Sequence, residues 1–135
     1  MSNAPAHFQT LARVLAWGLL AALVVVTAAP IGLRPETALP VSAERFGAFA
    51  LLGFLFACGY PRRRLAVLAL TVAAAGLLEL SQLVQPTRHG RGADFLVKAA
   101  GGGFGWLAAQ VFASILARIL ARLRLARPTA RAGRV

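Results

Sequence analysis

Acids and thiols are scarce in this chain. Only four of its 135 residues are Asp or Glu, against 15 Lys and Arg, and it has a single cysteine. One cysteine excludes an internal disulfide, and Cys58, set inside an apolar run, reads as a small helix-packing residue. The two histidines, His7 and His89, lie far apart with no cysteine near either, so no metal site and no cofactor are expected. Internal repeats and a separable soluble domain are also missing. The C-terminal stretch RILARLRLARPTARAGRV is basic but holds no aromatic residue. Base stacking needs aromatic faces among the cations, so nucleic acid is not an expected partner, whereas anionic membrane lipids are.

What the chain does have is apolar length. Hydrophobic residues make up 59% of it and its mean hydropathy is +0.70, well above the usage of soluble domains. A bilayer resolves this composition by acting as the apolar solvent. The expected fold is all-α, a four-helix transmembrane bundle with spans at about 14–33, 43–60, 65–84 and 95–117 and a basic tail at 118–135. The first run, Val14 to Leu33, is long enough to cross roughly 30 Å of hydrocarbon at 1.5 Å per residue. VTAAP within it offers small residues to a signal peptidase, but the run is too long for a signal core and is expected to be kept.

In the loop RPETALPVSAER, Pro40 stops any earlier helix, Ser42 is the expected N-cap of the second helix, and Glu44 falls in its first turn. Tyr60 and Pro61 mark an interface before the basic turn Arg62–Arg64, and Pro86 ends the third run. The tail begins as a continuation of the fourth helix, with Ile115, Leu116, Ile119, Leu120 and Leu123 along one side for the membrane surface. With the N-terminus cytoplasmic, the inner segments carry Arg13, Arg62, Arg63, Arg64 and the tail arginines. The outer loops then hold Arg34, Arg45, Arg88 and Arg91, largely offset by Glu36, Glu44 and Asp94. The positive-inside rule therefore places both termini in the cytoplasm and the QPTRHGRGAD hairpin outside.

Polar chemistry concentrates between Gly76 and Gly105. An ionised carboxylate in a lipid-facing helix costs about 2.5–3.5 kcal/mol on insertion scales, so Glu79 requires a partner. It lies roughly 7–8 Å inside the outer end of its helix, and Lys98 lies at a similar depth on the next one, so the hairpin lets the two meet. Glu79 and Gln82 share a face, as do Asp94, Lys98, Gly101 and Gly105 at helical spacing. The glycines are expected to let the third helix approach the fourth closely.

Read from Glu79, the pattern is E-x-x-Q-x-x-x-P-x-R through Pro86 and Arg88, then Asp94, Lys98, Gly101 and Gly105 at the spacing D-x-x-x-N-x-x-G-x-x-x-G. It resembles the VanZ-like family of small bacterial membrane proteins over about a fifth of the chain, without a gap. Two departures stand out. Lys98 replaces the family's asparagine, adding a charge that invites pairing with Glu79 or Asp94. Glu44 and Arg45 stand where the family has an Asp-Lys pair, but Ala48 occupies the place of its following histidine. The resemblance implies a cell-envelope role and no established reaction; the family takes its name from resistance to teicoplanin, a glycopeptide that binds cell-wall precursors outside the membrane.

Two functions from different classes stay open. One is a non-catalytic envelope protein that binds an anionic lipid-linked or glycopeptide ligand near the outer leaflet, using Glu79, Gln82, Arg88, Arg91, Asp94 and Lys98, with Gly101 and Gly105 as helix-packing residues. The other is a membrane-embedded enzyme acting on a phospholipid or polyprenyl phosphate, with Glu79 or Asp94 as general acid or base and Arg88 on the phosphate. No serine, cysteine or threonine of the motif sits beside a histidine–carboxylate pair, which favours binding. A buried clasp that fixes helix register is the purely structural account of the same groups, and an interfacial anchor that of Arg88, His89 and Arg91.

Overall fold

The computed structural model describes residues 6–28, 40–83 and 92–125. Apart from Pro40 and the turn at 60–63, all of these are helical: α1 (Ala6–Ala28), α2 (Val41–Gly59), α3 (Arg64–Leu83) and α4 (Gly92–Leu125). Each helix is long and apolar enough to cross a membrane. The chain is therefore an all-helical, multi-pass architecture, in which every spanning backbone group is satisfied within its own helix.

The second helix is the hub. It touches the other three, while α1 and α4 make no backbone approach to each other among the described residues. Phe49, Leu52 and Phe56 of α2 are buried with Ala16 of α1, Val67 and Ala75 of α3 and Ala109 of α4. The outward faces stay apolar: Val14 and Val25 of α1 and Val111 of α4 are more than half exposed. Such faces are covered by acyl chains in a bilayer, so packing and polar contacts, not burial from water, must choose the helix partners.

Glycine makes that choice for α4. A methyl on Gly101 would overlap the carbonyl oxygen of Phe46, and one on Gly105 would overlap that of Ala50. Both pairs advance in the same direction, so α2 and α4 run parallel with backbones in contact. The glycine stripe thus seats the second helix against the fourth, not the third as its position in the hairpin led us to expect. The third meets α4 through Gly102, where a Cβ would lie 2.6 Å from Thr71 Cγ2. Thr71 Oγ1 donates to Val67 O at 2.9 Å, so this fully buried hydroxyl is satisfied within its own helix.

Two helix ends differ from the expected ones. Ser42 is not the N-cap of α2: the helix starts at Val41, no side chain caps it, and the Pro40 carbonyl accepts from the amides of Ala43 and Glu44. Proline, with φ already near its helical value, sets up the first turn without a hydroxyl. Helix α1 begins at Ala6, ahead of the apolar run, so Arg13 lies inside it. There Arg13 Nε donates to Gly59 O, the C-terminal carbonyl of α2, at 2.8 Å, and its guanidinium sits 4.8 Å over the Tyr60 ring. Helix α4 runs unbroken to Leu125, because the Ala, Leu and Arg of this stretch are strong helix formers with no glycine or proline among them.

Two indoles brace the same end. Trp17 Nε1 donates to Tyr60 Oη at 3.1 Å while its ring stands edge-on to Phe56, and Trp106 Nε1 donates to Arg64 O at 2.8 Å.

Candidate functional site

At the other end, three helix termini converge. Asp94 sits in the first turn of α4 and Lys98 one turn further on; Glu79 lies in the last turns of α3, and Arg45 early in α2. Lys98 Nζ donates to Glu79 Oε2 at 2.8 Å and lies 2.7 Å from Asp94 Oδ2. Arg45 Nη1 donates to Asp94 Oδ1. The side chain of Lys98 is only 5% exposed, and those of Glu79 and Asp94 11% and 10%, so the ammonium is enclosed by its two carboxylates. Desolvating three such ions is costly and is offset only when each charge is met.

Both Asp94 oxygens therefore face a cation, Oδ1 that of Arg45 and Oδ2 that of Lys98.

Beside this cluster is a cleft of about 250 Å³ between α1 and α2 that reaches Gln82 and Lys98. Leu23 and Val26 of α1 and Val41 and Phe49 of α2 give it apolar walls; Glu44, Arg45, Gln82 and Lys98 give it a polar one. Ala48, the small residue at the departure noted above, also lines it, so the space a longer side chain would take is open.

Of the residues expected at a site, Glu79, Asp94 and Lys98 meet directly, and Gln82 lines the adjoining cleft. Gly101 and Gly105 lie below them against α2. Arg88 and Arg91 lie outside the described residues. The ion pair of Arg45 with Asp94 was missed, Arg45 having been counted as an outer-loop charge. Its signal was faint: Arg45 abuts the apolar run at the expected headgroup level, where an arginine has no need of a partner. Ser81 turns away, donating to Leu78 O at 2.8 Å.

The described cluster is balanced, Arg45 and Lys98 against Asp94 and Glu79, and Glu44 adds a third carboxylate at the cleft. It can orient an amphiphile that brings hydrogen-bond donors to carboxylate oxygens and an apolar chain to Leu23, Val26 and Phe49. Compared with protein-family models, curated proteins and solved structures, the chain has no match.

Proposed function

We propose that the chain is a VanZ-like integral membrane protein of the bacterial cytoplasmic membrane, both termini inside, that binds an anionic lipid-linked or glycopeptide ligand near the outer leaflet. The observation that carries this is the cleft itself: buried Lys98 and half-buried Arg45 stand at one wall of an opening whose other walls are apolar. An amphiphile fits that division. Because Arg45 and Lys98 are already matched by carboxylates, the ligand's phosphate draws on Arg88 and Arg91 of the hairpin, and its hydroxyl or amide donors turn to Glu44 and Gln82 at the cleft. Binding is favoured over catalysis because Glu79 and Asp94 are each engaged by a cation, which suits fixed counter-ions better than groups that exchange protons with a substrate.

The test is native mass spectrometry of the full chain in mild detergent with a polyprenyl phosphate and the matching neutral polyprenol. The expected result is selective retention of the phosphate, lost in Arg88→Ala and Asp94→Ala proteins that remain folded and membrane-inserted. In cells, teicoplanin susceptibility is the matching readout. Equal retention of both lipids, or variants that behave like the parent in both assays, would remove the ligand site and leave a structural clasp.

A further inference from the structure

Charge is segregated along the bundle. The three described carboxylates, Glu44, Glu79 and Asp94, all lie at the end where α2 and α4 start and α3 finishes. At the opposite end stand Arg13, Arg62, Arg63 and Arg64, with Arg118, Arg122 and Arg124 on the extension of α4, and no carboxylate accompanies them among the described residues. Arg13 is occupied by Gly59 and Tyr60, and Arg64 Nε donates to Pro61 O at 3.3 Å. Arg62 and Arg63 are exposed and form no ion pair among the described residues.

Next to these cations the helices leave a hollow of about 60 Å³ between the start of α1, the α2–α3 turn and α4. Phe8, Cys58, Phe112 and Leu116 are among its apolar walls, and Arg64 and Gln110 supply its polar edge. It stays open because α1 and α4 do not approach each other, and Phe112 is 47% exposed along it. Arginines above an uncovered apolar wall match a phosphodiester joined to an acyl chain: guanidinium groups take the phosphate oxygens while the chain lies along Phe112 and Leu116. A nucleic acid would meet the arginines but leave that wall uncovered.

We propose that this end holds a binding site for an anionic phospholipid, with Arg62, Arg63 and Arg64 on its phosphate and the hollow beside Phe112 taking the first part of its acyl chain. The site is separate from the ligand cleft and does not depend on it. The test uses the full chain in mild detergent with an equimolar mixture of phosphatidylglycerol and phosphatidylcholine, read by native mass spectrometry.

The parent protein retains phosphatidylglycerol selectively. Replacing Arg62, Arg63 and Arg64 together by Gln lowers that retention by about a hundredfold, at roughly fivefold per arginine near the surface. Ala113→Leu keeps every arginine but fills the hollow; displacing about two methylenes, at roughly fourfold each, it lowers retention some fifteenfold. Cys58, the sole cysteine, lines the hollow, so added phosphatidylglycerol also slows its alkylation in the unaltered protein. Equal retention of the two lipids overturns the proposal. Sensitivity to the arginines without sensitivity to Ala113→Leu or protection of Cys58 overturns it too, because that pattern is diffuse headgroup attraction. Displacement of the lipid by millimolar inorganic phosphate would assign the arginines to free phosphate instead.

Discussion

Replacing Gly105 by Ala adds one methyl where α2 leaves no room. The new carbon would overlap the Ala50 carbonyl oxygen and stand 2.6 Å from its carbon and 2.9 Å from its Cα. All three are backbone atoms, so no side chain can rotate away. Restoring ordinary contact, about 3.5–4 Å between carbons, requires α2 and α4 to separate by roughly 1 Å. That shift loosens the Phe46–Phe104 ring pair, whose centroids are 5.7 Å apart, and draws Arg45 from Asp94. Overpacking of this kind costs about 1–3 kcal/mol.

The control is on the same helix. A methyl on Gly103 meets nothing within 4 Å, so Gly103→Ala should gain roughly 1 kcal/mol of helix propensity. Unfolding of the purified protein by SDS in mixed micelles, followed by circular dichroism, measures both. The expected order of midpoints is Gly103→Ala above the parent and Gly105→Ala below it. If Gly105→Ala is as stable as Gly103→Ala, the close seating of α2 on α4 is wrong, and with it the route by which Arg45 reaches Asp94. A double Gly101→Ala/Gly105→Ala protein should lose less than the sum of its parts, because one separation of the helices relieves both overlaps.

Lys98→Met strips Glu79 of its partner and leaves Asp94 with Arg45 alone, at a cost of about 3–5 kcal/mol. Adding Glu79→Leu should recover most of that in the same SDS titration; an unaffected single variant would mean that the ions are hydrated. Arg13→Ala removes the donor to Gly59 O and the cation over Tyr60, for roughly 1.5 kcal/mol at this half-buried position, read as a lower thermal midpoint in detergent. Trp17→Phe keeps the edge-on contact with Phe56 but loses the bond to Tyr60, so its cost should stay near the lower end of about 0.5–1.5 kcal/mol. A Trp17→Phe loss as large as that of Lys98→Met would make the aromatic end, not the charged end, the main clamp of the bundle.

Four helices were legible because a bilayer demands long apolar runs and allows no unpaired backbone within them. Their ends were less so. The run starting at Val14 marks where lipid begins, whereas α1 begins at Ala6, since a helix continues through polar residues as readily as through apolar ones. The neighbour of the glycine stripe was not legible either. Helix α2 is apolar on nearly every side, so Phe46, Ala50 and Gly53 do not distinguish themselves by hydropathy, and only backbone contact with Gly101, Gly105 and Gly102 singles out their face.

The charged site divides along the same line. Glu79 and Lys98 are 19 residues apart on helices joined by one hairpin, so depth and direction follow from chain order. Arg45 and Asp94 are 49 residues apart, on parallel helices with a whole span between them. No local rule brings those two together; the glycine seat does, by fixing how α2 slides along α4. Once paired, Arg45 and Asp94 neutralise each other and drop out of the loop charges that orient the protein. Among the described residues, Glu44 is then what remains at that end, against Arg13, Arg62, Arg63, Arg64 and the arginines of the α4 extension at the other. Under the orientation proposed above, the positive-inside preference survives the loss of Arg45 from its tally, and the cleft lies on the side where a lipid-linked envelope ligand would be met.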